Sequence, residues 1–371
     1  MSFGLLKHFK DRKTIGETQV AAAKHYKHVI LGSDLGAILK LVELKKAFPD
    51  ESIRLISPRV LTRQMLIENY EFGVSQLRSE VAVQEIYKKH FNAKISPQTK
   101  DALFYKDGKF HEFGSRAKPM ELLAGEDFFI GKGYRISLES LFSEESWANL
   151  DQIISDSLEI RILDSVEKSS PSDLVEKTEW KIDFKDFTTI NCEFLYLSQS
   201  PERFLHHLAN KDSMSPELID VCSTAKIQSG LSVTWILDRE IYADEQTLFI
   251  PQSMTHEWGH FIVEFEPFNH IKKQQLCHVL FLIHEEEPQT EDLGAKLRLM
   301  KRVLDRVFND FDKSISKEYI RLDDEMFVSD IKEASLEQVG FDYPTLKFTG
   351  NLAPLAPELQ GEKFLARTLL S

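Results

Sequence analysis

The sequence predicts an α/β fold, in which a dinucleotide-binding βαβ unit is interrupted by an inserted α+β region carrying a mostly antiparallel sheet. Three observations predict it. The apolar run His28-Val29-Ile30-Leu31 reads as a buried strand that ends at Gly32 and is followed at once by apolar residues at helical spacing. A second buried-type strand, Cys192-Glu193-Phe194-Leu195-Tyr196-Leu197, leads through Ser200-Pro201 into a short helix, with proline at a favourable early position. Between them and the C-terminus, Leu231–Leu237, Thr247–Ile250, Phe261–Phe265 and His278–Ile283 follow one another as β-rich runs, the grammar of an antiparallel sheet.

Taken in order, residues 1–24 are a polar, Lys-rich lead-in. The helix after Gly32 carries Ile38, Leu41, Val42 and Leu44 on one stripe and is broken by Pro49-Asp50 before a second strand, Ile53–Ile56. From Val60 to Leu123 the pattern is mixed and largely helical, with a hairpin where Leu103–Tyr105 meets Lys109–His111 across Lys106-Asp107-Gly108. An apolar-periodic helix is expected near Leu138–Phe142, then strands at Leu158–Leu163 and Trp180–Phe184. A long helix follows from Leu293 to Phe311, and the chain closes with a strand at Thr345–Thr349 and a helix near Glu358–Leu370. These elements assign residues 25–60, 125–204 and 340–371 to a discontinuous dinucleotide-binding domain. Residues 61–124 and 205–339 then form a substrate- or partner-binding domain.

The 371 residues are 42% hydrophobic and 28% charged, enough to bury a sizeable core in two units. A formal net charge of -13, with no basic patch of useful size, argues against a nucleic-acid surface. No stretch is apolar for long enough to be a signal peptide or an integral membrane segment, so a cytoplasmic location is expected. The three cysteines, Cys192, Cys222 and Cys277, lack metal-type spacing and read as buried thiols in a reducing compartment.

The turn after the first strand reads Gly32-Ser33-Asp34-Leu35-Gly36-Ala37, a Rossmann-type fingerprint with one departure. Such a turn lets backbone amides and a helix N-terminus meet a pyrophosphate. Gly32 serves the tight turn and Ala37 the close helix packing, but Asp34 stands where the middle glycine belongs and brings a carboxylate towards anionic oxygens. At the end of the second strand, where an acidic residue would accept the ribose hydroxyls, the chain offers Ser57-Pro58-Arg59.

In these segments the chain resembles the flavin-dependent amine oxidase and protoporphyrinogen oxidase superfamily, which also contains the Rab GDP-dissociation inhibitors. The N-terminal β-turn-α at 28–48 is similar, as are Ile130-Gly131-Lys132-Gly133 leading towards Leu138, the strand Phe194–Leu197 with Ser198-Gln199-Ser200-Pro201, and Leu346-Lys347-Phe348-Thr349-Gly350-Asn351. The resemblance implies FAD along the strand ends, with Gly32, Ser33, Asp34, Leu35, Gly36, Ser57, Pro58, Arg59, Ser198, Gly350, Asn351 and Leu352 as its contacts. It also implies a small apolar substrate against the antiparallel sheet, or a protein partner in a flavin-free relative. Where family enzymes carry an Arg- and Gly-rich loop, this chain has Val60-Leu61-Thr62-Arg63-Gln64, so weakened or lost flavin binding stands beside the enzyme reading. No catalytic base is singled out.

One motif points elsewhere. His256-Glu257-Trp258-Gly259-His260 matches H-E-x-x-H, in which two histidines one helical turn apart bind zinc. The flanking residues, closed by Pro251 and Pro267 and rich in strand formers, predict a hairpin instead. On a strand the two histidines would lie about 13 Å apart, too far for one metal. No metal site is therefore expected, and zinc hydrolysis is the least favoured alternative.

Overall fold

In the computed structural model, the described residues are 23–33, 35–58, 76–77, 95–97, 100–117, 120–123, 126–130, 134–136, 152–155, 157–170, 173–186, 188–255, 259–283, 290–329 and 333–349. Two seven-stranded sheets and one three-stranded sheet carry the fold. The first sheet contains β1 (Lys24–Leu31), β2 (Ile53–Ser57), β8 (Gln152–Ile154), β9 (Leu158–Ser170), β10 (Asp173–Phe184), β11 (Thr189–Leu197) and β17 (Leu346–Phe348), in the order β8-β2-β1-β11-β10-β9 with β17 also on β11. β8, β2, β1, β11 and β17 are mutually parallel, whereas β9, β10 and β11 form an antiparallel meander. β11 serves both parts: Ile190 and Cys192 face β10 partners in register, and Leu195–Leu197 pair with Leu346–Phe348.

Helix α1 (Leu35–Ala47) joins β1 to β2 and lays Ala37, Ile38, Leu41, Val42 and Leu44 against the sheet. Its last turn carries Lys45 and Lys46, which suits the negative end of the helix dipole. The consecutive buried run Val29-Ile30-Leu31 follows from burial on both faces of a parallel sheet. On one side a core forms around Trp180, Cys192, Leu195 and Leu197, packed by α2 (Pro201–His207), α3 (Pro216–Thr224) and Val339 of α6 (Glu333–Asp342). Both α2 and α3 begin with a serine cap and a proline, Ser200-Pro201 and Ser215-Pro216, whose hydroxyls accept from the Arg203 and Leu218 amides.

The second sheet runs β16 (Ile315–Ser329), β12 (Lys226–Leu237), β15 (Gln275–Ile283), β14 (Phe261–Phe265), β13 (Leu248–Ile250), β5 (Leu103–Lys106), β6 (Lys109–Glu112). Every pairing in it is antiparallel except β13 with β5. One face packs against α4 (Thr290–Val307), through Leu299, Met300, Val303 and Leu304, and against Phe311 of α5 (Phe311–Ser314). The other is covered in part by Phe113, Met120, Leu122, Phe129 and Ile130. β3 (Gln76–Leu77), β7 (Tyr134–Ile136) and β4 (Ile95–Pro97) make the small third sheet.

The hairpin at 103–112 turns at Asp107-Gly108, with φ of 50° and 80°. The 15-residue strand β16 and the helices α3 and α6 have no counterpart in the sequence reading. The helices expected at Leu138–Phe142 and Glu358–Leu370 lie outside the described residues.

Candidate functional site

The C-terminal ends of the parallel strands converge where β1 stands between β2 and β11. The chain leaves β1 towards β2 on one side while its other neighbour comes from far along the sequence, which makes this the topological switch point of the parallel strands. Backbone bonds lock the rim: Gly32 N–H donates to Ile56 O at 3.0 Å, Ser198 N–H to Leu31 O at 2.9 Å, Ser155 N–H to Ser57 O at 2.9 Å, and Thr349 N–H to Leu197 O at 2.8 Å. Thr349 adds its hydroxyl to the same Leu197 carbonyl at 3.1 Å.

Gly32 adopts a φ of 152°, and a Cβ there would stand 3.0 Å from Ser198 Cβ and 3.1 Å from the Ser198 carbonyl carbon. Only glycine fits this turn without displacing β11. The sequence reading therefore named two residues, Gly32 and Ser198, that the fold brings into contact, and Ser57 ends the neighbouring strand. Gly36 and Leu35 lie in the first turn of α1, and Ser33 is half-buried in the turn itself. Asp34, Arg59, Gly350, Asn351 and Leu352 lie outside the described residues.

This rim carries three features of a dinucleotide turn, a side-chain-free first position, Ala37 wholly buried and the start of α1 at Leu35, while Asp34 holds the position of the middle glycine. The second strand meets the ribose requirement less well. Ser57 is wholly buried and Pro58, with no N–H, follows it, so neither residue supplies a carboxylate.

Beneath α1 lies a polar layer that sequence reasoning missed. His28 is buried, stacked between Phe48 and Phe194, bonded through Nε2 to Glu51 and through Nδ1 to the Tyr196 hydroxyl at 3.3 Å. Lys40, also buried, pairs with Glu43 at 2.8 Å and sits 5.9 Å from the Tyr196 ring centroid. Burial lowers the Lys40 pKa against the opposing pull of Glu43, and burial raises that of Tyr196 to about 12. The available signal was a lysine and a histidine placed among the apolar positions of a helix and a strand.

The segment 251–260 connects the antiparallel pair β13 and β14, as the hairpin expectation required. Gly259 has a φ of 131° and His260 runs into β14, so the helical turn that H-E-x-x-H needs is absent at its second histidine. His256 and Glu257 lie outside the described residues. His260 Nδ1 instead donates to Glu126 Oε2 at 2.6 Å, both side chains being buried, and the Leu123 N–H donates to the same oxygen at 2.8 Å. Glu126 Oε1 is buried without a hydrogen-bond partner. Among the described residues no group of three His, Cys, Asp or Glu side chains is placed to hold a metal ion.

On the face of the second sheet turned away from α4, a buried polar row crosses three strands. Thr234, His278 and Glu264 are register neighbours. The Thr234 hydroxyl bonds His278 Nδ1 at 2.9 Å, the Thr247 hydroxyl donates to Glu264 at 2.7 Å, and His278 Nε2 lies 3.3 Å from Glu266. The row continues into the apolar patch of Phe249, Ile262, Leu280 and Leu282.

The sequence matches no protein-family model and no curated protein. Solved structures do match. A putrescine oxidase variant redesigned in its cofactor binding superposes with a TM-score of 0.57 at 10% identity, covering 94% of this chain and 97% of its own. This chain and that oxidase share a fold. A CLA-producing fatty acid isomerase from P. acnes agrees, with a TM-score of 0.55, 10% identity and coverage of 93% and 96%. So does a protoporphyrinogen oxidase-like protein from Exiguobacterium sp. 255-15, at 0.54, 11%, 89% and 94%. At such identities the amine oxidase fold is what is shared. No helix among the described residues is long and apolar enough to cross a membrane.

Proposed function

We propose that this chain is an FAD-dependent oxidoreductase-like protein with weakened cofactor affinity. Its dinucleotide would lie along the strand ends at Gly32 through Gly36, Ser57 through Arg59, Ser198, and Gly350 through Leu352. The observation that carries the reading is the Gly32–Ser198 crossing at the β1/β11 switch point, beneath the start of α1. A bound flavin supplies hydride acceptance. The protein supplies orientation and a water-poor site. Residues 25–60, 125–204 and 340–371 form the dinucleotide-binding unit in this reading, and 61–124 and 205–339 the substrate unit. The two large sheets draw their strands from these two sets, although α3 packs on the first sheet. The second sheet offers the substrate an apolar wall with Thr234, His278 and Glu264 fixed beside it.

The test is the visible absorbance of freshly purified protein, with mass spectrometry of any small molecule released on denaturation. Flavin bands with released FAD support the reading, and Asp34→Gly should then bind FAD more tightly by calorimetric titration. A colourless protein that also ignores added FAD defeats it. Such a result would support a cofactor-free binding protein on the same scaffold, a reading favoured by one observation: the second strand ends in Ser57-Pro58, without a ribose acceptor.

A further inference from the structure

The face of the second sheet turned away from α4 carries an apolar wall of Phe104, Phe249, Ile262, Leu280 and Leu282, all of them buried. Its cover is one chain thick. The described residues of 113–130 lay Phe113, Met120, Leu122, Phe129 and Ile130 on the wall, while 114–116 and 121 are exposed on the outside. The opposite face lies under the 18-residue helix α4, whereas the regular structure of this cover, among the described residues, is a single 3-10 turn at Glu126–Phe129. Among the described residues its backbone bonds outside that turn are local: Ser115 N–H donates to Glu112 O at 3.0 Å and Glu126 N–H to Leu123 O at 3.1 Å. Its polar tie to the sheet is the bond from His260 Nδ1 to Glu126 Oε2 at 2.6 Å. A segment held by few backbone bonds and a thin apolar layer opens locally, before the domain unfolds.

We propose that residues 113–130 are a strap that lifts off the second sheet while the sheet stays folded, with the Glu126–His260 bond as its latch. The two sides of the latch differ. On the sheet, His260 stands between β14 and Gly259, whose carbonyl accepts from the Thr255 hydroxyl, so the imidazole is held in place. On the strap, Glu126 Oε2 accepts from both His260 and the Leu123 N–H, whereas Oε1 is buried without a partner. A buried acceptor without a donor raises the free energy of the closed state and regains water on opening. The same carboxyl therefore holds the strap down and favours its release. Opening uncovers the apolar wall, a surface suited to an apolar molecule. That this molecule is the substrate rests on the oxidoreductase reading; the opening itself does not.

Maleimide labelling of the full chain at neutral pH, read by mass spectrometry, tests this with a control on the same strand. Leu280 of β15 lies under the strap, and Cys277 of β15 lies in the core on the α4 side. Leu280→Cys, and independently Ile262→Cys beside it on β14, should react in native buffer while Cys277 stays unmodified. Adding Glu126→Gln, which keeps the shape, should speed both reporters about tenfold, the effect of weakening one hydrogen bond to a charged group, and leave Cys277 silent. Reporters that react only in step with Cys277, or at a rate indifferent to Glu126→Gln, would overturn the proposal. The labelling needs no flavin, so a colourless protein would defeat the FAD reading and leave this result standing.

Discussion

Gly32 and Ser198 touch closely where β1 meets the end of β11: a Cβ on Gly32 would lie 3.0 Å from Ser198 Cβ. Gly32→Ala combines that contact with a φ of 152°, which L residues rarely adopt. We expect a loss of about 1–3 kcal/mol in urea unfolding. An unchanged midpoint would show that the rim is less tightly closed than described.

The Glu126–His260 pair should matter for stability irrespective of any cofactor. His260→Ala leaves a carboxylate buried with only the Leu123 amide on one oxygen and nothing on the other. The expected cost is about 3–5 kcal/mol. Glu126→Gln, which removes the charge and keeps the shape, should cost only about 1–2 kcal/mol. Equal losses from the two variants would argue that packing, not charge, dominates there.

Lys40 predicts a dependence on pH. Its folded pKa lies below the unfolded value of 10.5 because burial disfavours the ammonium. The unfolded chain therefore binds more protons between the two values, so stability rises with pH through that window, and below it the cost of burying the charge is present in full. Wild-type protein should gain stability relative to Lys40→Met as pH is raised from neutral towards 10.5. Parallel curves from chemical denaturation would remove Lys40 as the cause.

All three thiols should be silent in the native state. Cys192, Cys222 and Cys277 are buried, and burial pushes Cys222 up to about 12 and raises the other two as well. A chromogenic thiol reagent at mild alkaline pH should modify none of them until denaturant is added, and then all three. Rapid labelling of the folded protein would contradict the packing around α3 and β15.

Much of the fold is legible in the sequence because its signals are local. The run Val29-Ile30-Leu31 before Gly32, the serine-proline start of α2, and the Asp107-Gly108 turn each encode their own geometry within a few residues. β16 was not legible: Ile315–Ser329 mixes charged and apolar residues with weak alternation, since an edge strand exposed on both faces feels little pressure to segregate them.

The candidate site divides in the same way. By itself the sequence determined the Gly32 turn, the Ala37 packing position, the absence of an acidic residue at Ser57-Pro58, and the improbability of a zinc helix between two prolines. Tertiary structure decided what those residues meet: Ser198 against Gly32, Tyr196 and Glu51 on His28, Glu126 on His260, and Thr234 on His278. These partners lie between 23 and 168 residues apart along the chain. Hydrogen bonding and close packing depend on distance in space, which local periodicity does not record once strands from distant segments are laid side by side.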